Sequence, residues 1–368
     1  MYHILKYGIL TKVICFIGGI LMEKKFLDKA LQYAQELLSI PSPTGYTAKA
    51  TEYLLTTLQN MGYSPIKTTK GAVQVLLGGQ GEGGLMLASH VDTLGAMVRS
   101  IKSTGRLRVS PVGGLNAGNT ETETVTIYTR DGKSYEGTLQ LENASVHVNG
   151  KLKELVRTWD NVEVVLDEEV KNAQQVKELG IGTGDFVFIE PRTKITQSGY
   201  IKSRFLDDKL SAAVLLAFAE YVKENNLIPQ KPVYLNFTTY EEVGHGGTAD
   251  LPSNLDEFIS VDMGCVGDDL NCDETMVSIC AMDSSGPCSY DTVTALVNTA
   301  KEHNIRYAVD VYPYYGSDAD AALRSGASVR HCVIGPGVYA SHGYERSHIK
   351  GVEATLQLIA NYVPFHKS

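Results

Sequence analysis

The amino-acid sequence predicts an α/β protein with a small all-β domain inserted between its two halves. Predicted helices and apolar strands occur together before residue 103 and again after residue 195, which is typical of a sheet covered by helices on both faces. Between these residues the pattern changes to short strands of alternating polarity, separated by tight turns such as Asp131-Gly132. The 368 residues are 43% hydrophobic and 20% charged, so the chain can bury a sizeable core.

The composition argues against several classes of protein. The net charge is −9, which disfavours nucleic acid or an anionic membrane as a partner. The chain has six cysteines: Cys15, Cys265, Cys272, Cys280, Cys288 and Cys332. No two of them form a C-x-x-C pair, which argues against a zinc ribbon. A chain of this length does not need disulfide staples, so we expect reduced thiols.

The first 21 residues differ from the rest of the chain. An apolar run from Val13 to Leu21 lies between Lys12 and Lys24, and it is too short to span a bilayer as a helix. It resembles the core of a signal peptide, but no clear small-x-small cleavage site follows. We interpret residues 1–21 as an extended start or a targeting-like segment ahead of Met22, and we expect a cytoplasmic protein without a membrane partner.

The first half of the α/β region contains two predicted helices and two strands. Apolar residues recur at helical spacing over 24–40, and this helix ends at the breaker cluster PSPTG. Thr44 is in position to cap a second helix, AKATEYLLTTLQNMG, which closes at Gly62. The strands AVQVLLGG and GLMLASHVDT follow.

The α/β pattern resumes after Gly199. The predicted elements are the helix LSAAVLLAFAEYVKENN, the strands KPVYLNFTT, FISVDMG, ETMVSICAMD and RHCVIGPG, and the final helix GVEATLQLIANYV. We therefore assign 22–102 and 196–368 to one α/β domain, and 103–195 to an inserted, barrel-like domain.

Two adjacent carboxylates, Glu241 and Glu242, follow a predicted strand in the stretch TTYEEVGHGG. Other acidic or imidazole groups occupy comparable places, where a strand ends or a helix begins: His90, Asp92, Asp207, Asp208, Asp262, His342, Glu345 and His348. In open α/β sheets such strand ends line the crevice where ligands bind. Taken singly, each has a structural explanation, since an aspartate can cap a helix or turn and a histidine can be an exposed loop residue.

Taken together, these residues indicate a metal site. Two histidines, two aspartates and one glutamate supply the nitrogen and oxygen ligands that a pair of zinc-like ions prefers, and no cysteine is required. One further carboxylate beside the ions can act as a general base. This division of labour would explain the adjacent glutamates, because one would bind metal while its neighbour handles a proton.

The order of these motifs resembles a known clan of peptidases. H-x-D after an apolar strand, D-D-[KR] at a helix start, E-E-x-G after a strand, then x-D-x-G and a late His form the pattern of dinuclear-metal aminopeptidases. With the inserted β domain, the chain resembles the tetrahedral aminopeptidases, which include glutamyl and deblocking aminopeptidases and relatives labelled as cellulases. The resemblance extends from about Met22 to the C-terminus. It implies a phosphorylase/hydrolase-like zinc-peptidase fold, with a mixed sheet in an α/β/α catalytic domain.

The resemblance also implies a set of metal ligands. His90 and Asp262 would hold one ion, Glu242 and His342 would hold the other, and Asp207 would bridge both.

Two further carboxylates would support the chemistry. Glu241 would be the general base, and the side chain of Asp92 would fix the tautomer of His90. Asp208 is expected to be structural, and in the family the Asp207–Asp208 peptide is often cis.

Two segments near the C-terminus leave alternatives open. The family's closing motif usually reads His-Ser-x-x-Glu, whereas SHGYERSH places Glu345 three residues after His342. His342 is favoured as the ligand because it lies nearest the end of a predicted strand, and His348 is the alternative. The form SHGYERSH also resembles a subgroup associated with the osmoprotectant N-acetylglutaminylglutamine amide. In GSDADAA, Asp318 resembles a residue near the family's substrate pocket, although a helix cap is an equal explanation.

The implied function is that of a metal-dependent aminopeptidase with two divalent ions per subunit, either zinc or else cobalt or manganese. A hydroxide bridging the ions would attack the first peptide bond of short peptides. In the family the β insert builds subunit contacts within a closed dodecameric shell, so we expect a homo-oligomer, at least a dimer. The alternatives are a carboxypeptidase or N-deacylase on the same scaffold, or a glycosidase that uses two carboxylates.

Overall fold

The computed structural model of the protein describes residues 23–366. The α-helices in this range are α1 (Lys24–Ser39), α2 (Ala48–Asn60), α3 (Ala173–Glu178), α4 (Leu206–Glu224), α5 (Tyr290–Glu302), α6 (Asp318–Arg324) and α7 (Ile349–Tyr362). The strands are β1 (Ile66–Lys67), β2 (Val73–Gly78), β3 (Gly84–His90), β4 (Gly95–Ile101), β5 (Leu107–Val112), β6 (Thr124–Tyr128), β7 (Ser134–Leu141), β8 (Val162–Leu166), β9 (Phe186–Ile189), β10 (Lys194–Ile195), β11 (Tyr200–Ser203), β12 (Val233–Thr238), β13 (Leu255–Val261), β14 (Gly264–Val266), β15 (Val277–Asp283), β16 (Gly286–Pro287), β17 (Tyr307–Val311), β18 (Arg330–Tyr339) and β19 (Glu345–His348).

A mixed sheet forms the centre of the α/β domain. β12, β3, β13 and β18 are neighbours that run parallel, and β2 joins β12 in the antiparallel sense. Every residue of β3 is buried, as expected of a parallel strand with both faces covered. Leu85 and Leu87 belong to the larger core with α1 and α4, whereas Met86 and Ala88 pack with Ala319 of α6. The predicted α/β/α fold is therefore confirmed.

The strand order brings the candidate ligands to one edge of the sheet. β12, β3 and β13 are adjacent and parallel, so their carboxyl ends lie side by side. His90 is the last residue of β3, Glu241 and Glu242 follow β12, and Asp262 follows β13. Asp207 reaches the same edge from the start of α4, which packs against β3. A ligand site at this edge follows from the topology alone.

The inserted domain is a closed barrel with the strand order β4-β5-β8-β7-β6-β9. Its interior is filled by inward-facing aliphatic residues, among them Val98, Leu107, Ile127, Leu139 and Val164. The predicted insert begins at 103, but the barrel already includes β4, which pairs with β5 and β9. β4 therefore belongs to the barrel and not to the catalytic sheet.

The structure also bears on the remaining sequence predictions. The first helix is confirmed as α1. Thr44, however, does not cap α2: that helix starts after Thr47, and the Thr44 hydroxyl donates to Asp92 Oδ2 at 2.7 Å. Within residues 23–366 no helix has both the length and the apolar character needed to cross a bilayer. The five cysteines in this range are free thiols, and the predicted segment 1–21 lies outside the described residues.

Candidate metal centre

A cavity of about 410 Å³ opens where the strand ends meet. Five of the residues predicted for the site line it: Asp207, Glu241, Glu242, Asp262 and His342. His90 lies directly behind them and is 1% exposed. The structure therefore brings together, in one place, side chains that are separated by up to 252 positions in the chain.

Asp207 occupies the middle of the cluster. Its Oδ1 lies 3.1 Å from His90 Nε2, and its Oδ2 lies 3.5 Å from His342 Nε2. Its backbone N–H donates to Glu345 Oε2 at 3.1 Å, and the Asp207–Asp208 peptide is cis. One carboxylate thus faces both histidines, which is the arrangement that a bridging ligand requires.

The adjacent glutamates approach different histidines. Glu241 Oε2 lies 3.7 Å from His90 Nε2, whereas Glu242 Oε2 lies 3.5 Å from His342 Nε2. Both residues belong to a 3₁₀ turn over Glu241–Val243, and Tyr240 before it has a left-handed φ of 69°. This turn directs two consecutive side chains into the same cavity.

Asp92 supports the site differently from the prediction. The Nδ1 atom of His90 is 2.9 Å from the backbone carbonyl of Asp92, but 3.6 Å from its carboxylate. The carboxylate instead accepts the backbone N–H groups of Glu241, at 3.2 Å, and Glu242, at 3.3 Å. The main chain of Asp92 therefore orients the imidazole, while its side chain holds the turn that carries the glutamates.

Asp262 and Asp208 are buried beside His90. Ligand atoms of His90, Asp208 and Asp262 lie within 4.8 Å of one another, and the same holds for His90, Asp207 and Glu242. Asp208 Oδ2 also accepts the backbone N–H of His90 at 3.3 Å. Asp208, expected to be structural, is therefore close enough to His90 and Asp262 to belong to the donor set.

The site concentrates negative charge away from water. Burial raises the pKa of Asp262 to about 7, and the nearby carboxylate of Asp207 adds to this effect. Burial likewise raises the pKa values of Glu241 and Glu242 well above their ordinary range. For Asp207, hydrogen bonds from His342 and His90 outweigh burial and lower the pKa. The raised pKa values share one physical cause, because several carboxylates occupy a volume that excludes water. The lowered pKa of Asp207 has a different cause, which is its contact with the two histidines.

The donor set fits divalent metal ions. Glu242 Oε1 is buried and has no hydrogen-bond partner among the described residues. A buried carboxylate oxygen without a donor is costly unless a cation or water satisfies it. Imidazole nitrogens and carboxylate oxygens are also the ligands that zinc, cobalt and manganese accept.

The structure separates the two alternative histidines. His348 is the residue before α7, where its Nδ1 accepts the backbone N–H of Lys350 at 3.0 Å. Its Nε2 donates to the carbonyl of Ser198 at 2.9 Å. Both ring nitrogens are thus engaged away from the cavity, and the geometry favours His342.

Asp318 is the first residue of α6 and does not line the cavity. Its carboxylate accepts the Gly247 N–H at 2.6 Å and the hydroxyl of Thr238. This carboxylate anchors the glycine-rich loop after Glu242, and neither bond caps α6, so Asp318 has a structural role other than the helix cap considered from the sequence.

Sequence reasoning gave no role to Glu345, which is 2% exposed. Its Oε1 accepts the backbone N–H of His342 at 3.0 Å, and its Oε2 accepts that of Asp207. Burial raises the pKa of Glu345 to about 8. The signal in the sequence was the altered spacing in SHGYERSH, whereas its role, to bind the backbone of two candidate ligands, is visible only in the structure.

Comparison with known proteins identifies the relatives of this chain. Residues 71–358 match the family model of the M42 glutamyl aminopeptidases. The chain is 42% identical to YhfE of Bacillus subtilis, provisionally named an aminopeptidase, over 91% of this chain and 97% of YhfE. It is 28% identical to the glutamyl aminopeptidase of Lactococcus lactis over 63% of this chain and 66% of that protein.

A solved structure matches the fold. The TET1 peptidase of Pyrococcus horikoshii, described as able to assemble into a tetrahedron or a large octahedral shell, superposes with a TM-score of 0.81. The match covers 91% of this chain and 99% of that chain at 20% identity.

These matches decide between the alternatives that the motifs left open. The family model covers most of the chain, and the YhfE alignment is nearly full length. Both favour an aminopeptidase over a carboxypeptidase, an N-deacylase or a glycosidase, whereas the osmoprotectant subgroup stays a prediction. The chain therefore belongs to the M42 glutamyl aminopeptidase family and is a metal-dependent aminopeptidase.

Proposed function

We propose that this chain binds two divalent metal ions and uses them to release N-terminal residues from short peptides. His90 and Asp262 would hold one ion, Glu242 and His342 the other, and Asp207 would lie between them. The observation that carries this proposal is the single carboxylate of Asp207, whose two oxygens face two histidines from different parts of the chain.

The ligand chemistry supports zinc first, with cobalt or manganese as alternatives. When bound, such ions polarise a carbonyl and lower the pKa of a water molecule to about 7.

Glu241 is proposed to move the proton. Its side chain is 14% exposed and lines the cavity, and its Oε2 is 3.7 Å from His90 Nε2. Burial raises its pKa well above the ordinary range, although His90 opposes this shift. A carboxylate in this position can take a proton from the attacking water at Oε2 and return it to the leaving amine. Glu242 is more enclosed, at 3% exposure, and suits the role of a ligand.

The charge of the cavity suits a substrate with a free α-amine. Asp207, Glu241 and Asp262 place carboxylates around the space where the reacting bond would lie. A positively charged N-terminus would be attracted there, whereas an acylated terminus would lose this attraction. Cleavage would therefore be limited to the first residue of a peptide.

A panel of peptides tests this proposal. Purified protein, stripped with a chelator and reloaded with zinc, cobalt or manganese, is assayed on matched peptides with free and N-acetylated termini. We expect activity only after reloading and only on the free peptides. Equal cleavage of both forms would indicate a deacylase or an endopeptidase, and activity untouched by chelation would exclude the metal mechanism.

We further propose that the protein is a cytoplasmic homo-oligomer, in which other copies of the same chain form a closed shell such as a dodecamer. The solved relative that assembles into a tetrahedron or octahedral shell supports this. Light scattering at micromolar concentration is expected to give a mass that is a multiple of the chain's. A fully active monomer would contradict the proposal.

A further inference from the structure

His342 is supported less well by its own domain than His90 is. His90 ends a buried strand, and its side chain is 2% exposed. His342 lies in the loop between β18 and β19, has a left-handed φ of 62°, and its side chain is 40% exposed. A ligand on such a loop needs outside contacts to hold its ring within the tolerance of a metal site.

One such contact comes from the β5–β6 connection, residues 113–123, which links two strands of the barrel. The carbonyl oxygen of Gly114 lies 3.3 Å from His342 Nδ1. If Nδ1 carries the proton and donates to this carbonyl, the lone pair of Nε2 faces Asp207 and Glu242, each 3.5 Å away. The barrel thus contributes the acceptor that selects the tautomer a metal needs.

The absence of a side chain at Gly114 is equally important. A Cβ atom at this position would lie 2.7 Å from His342 Nδ1 and 2.9 Å from His342 Cε1. The neighbouring Gly113 has a φ of 72°, and a Cβ there would lie 3.1 Å from the carbonyl oxygen of Glu242. Two consecutive glycines therefore pack closely against both proposed ligands of one ion.

The same connection holds the backbone of the His342 loop. Asn119 Nδ2 donates to the carbonyl of His342 at 3.3 Å, and Arg204 donates from one guanidinium nitrogen to the carbonyl of Gly343 at 3.3 Å. The other terminal nitrogen of Arg204 donates to the carbonyl of Asn119 and to Glu123 Oε1, the latter at 3.1 Å. Arg204 is 2% exposed, so these bonds form away from water.

Glu123 completes this network. Its Oε1 also accepts from Arg192 at 2.6 Å, and its side chain is 9% exposed. A buried carboxylate between two guanidinium groups fixes their positions, and loss of its charge leaves a buried cation unpaired. The Arg204–Glu123 pair thereby ties the β5–β6 connection to the His342 loop.

We propose that the β5–β6 connection of the barrel is part of the metal centre, with Gly114 positioning the His342 ring and the Arg204–Glu123 pair holding its loop. This rests on the proposed function, because it takes His342 to be a metal ligand. The inserted barrel would then have a second role besides any subunit contacts, since one of the two ions would depend on it.

Gly114→Ala tests the positioning of the ring. Stripped protein is titrated with Co²⁺, and binding is followed by its absorption and by calorimetry. We call the ion proposed for His90 and Asp262 the first ion, and the ion proposed for Glu242 and His342 the second ion. We expect the second ion to bind about 10- to 100-fold more weakly, as is typical when a group that orients a ligand is lost, and the first ion to bind as in wild type. Gly150→Ala is the matched control, since a Cβ at that barrel glycine meets nothing within 4 Å. A folded Gly114→Ala protein that binds both ions like wild type would overturn the proposal.

Glu123→Gln provides a second test with little change in shape. We expect the same selective loss of the second ion. Its control is Glu163→Gln, which removes another buried barrel carboxylate, 8% exposed, that pairs with Lys102. If Glu123 had only a structural role, both variants would lose thermal stability, and neither would bind one ion more weakly than the other. If Gly114→Ala does not fold, wild-type binding of both ions by Glu123→Gln overturns the proposal instead.

The variant His342→Ala distinguishes the positioning role of the β5–β6 connection from the assignment of His342 as a metal ligand. Should His342→Ala retain both ions, the ligand assignment in the proposed function is wrong. Should it lose one ion while both barrel variants keep two, the ligand assignment stands and the positioning role of the barrel is wrong.

Discussion

The two adjacent glutamates differ in what surrounds their side chains. Glu242 is almost fully enclosed, and its Oε1 has no hydrogen-bond partner in the described part of the chain, so it has an oxygen free to bind a cation. Glu241 is more open and lines the cavity near His90. The backbone N–H groups of both are held by Asp92, which leaves their side chains free to take separate roles.

Glu241→Gln is expected to retain both metal ions while losing about 10²- to 10⁴-fold in rate, because a positioned proton transfer contributes an effect of that size. Glu242→Gln should lose one ion, since an amide cannot replace an anionic ligand. Metal analysis together with kinetics on a free peptide checks both outcomes. If the metal losses occur in the opposite variants, the roles of the two residues are exchanged.

A second prediction at the residue scale concerns which of the two candidate histidines near the C-terminus binds metal. His342→Ala is expected to lower the metal content by one ion per chain. His348→Ala should leave it unchanged, because both nitrogens of that ring already bond to Ser198 and Lys350. Metal analysis of purified variants distinguishes them, and the reverse pattern would move the ligand to the start of α7.

At the scale of elements, the sequence predicts the parts of the site that depend on local pattern. β3 and α4 are largely apolar runs, so their existence could be predicted, and with it the positions of His90 and Asp207 near their ends. The exact ends differ from the prediction, since β3 stops at His90 and not at Thr93, and α4 begins at Leu206 and not at Leu210. Long-range contacts could not be predicted in this way. The pairing that places β4 in the barrel and the bond from Thr44 to Asp92 join residues that no short pattern connects.

Asp92 shows how elements are joined at the site. Its carboxylate accepts the Thr44 hydroxyl from the segment between α1 and α2 as well as two N–H groups of the turn after β12. It therefore fixes the glutamate turn relative to β3, which ends at His90.

Asp92→Ala is expected to destabilise the turn and to weaken metal binding by about 10- to 100-fold, because it leaves two partly buried N–H donors without an acceptor. Thr44→Val, which removes one donor and keeps the carboxylate, should have a much smaller effect. Metal titration and thermal unfolding of the two variants check this. Equal losses in both would mean that the hydroxyl, and not the two N–H bonds, determines the position of the turn.

At the scale of the whole molecule, the cluster of buried charges links folding to pH and to metal. The pKa of Asp262 is raised by burial to about 7, from an ordinary value of 3.8. The folded protein therefore favours the protonated form of Asp262, and folding becomes less favourable as pH rises from 3.8 to about 7. Glu345, raised by burial to about 8, has the same sign. For His342, attraction by Asp207 overcomes burial and raises the pKa to about 10, so its contribution is complete below 6.5 and is lost as pH rises.

The metal-free protein is therefore expected to lose stability between about pH 5 and about pH 7, while the metal-loaded protein should not, because bound cations replace the lost protons. Burial lowers the pKa of Lys209 to about 7, so this group starts to lose its proton only near the upper end of the window. Its contribution to stability increases with pH above about 7 and therefore does not reverse the loss between about pH 5 and about pH 7. The measurement is the midpoint of thermal unfolding with chelator and with excess zinc at both ends of the window. Asp262→Asn is the matched variant and should flatten the slope of the metal-free form. Parallel curves for the metal-free and loaded proteins would contradict the proposed link between the carboxylate cluster and metal binding.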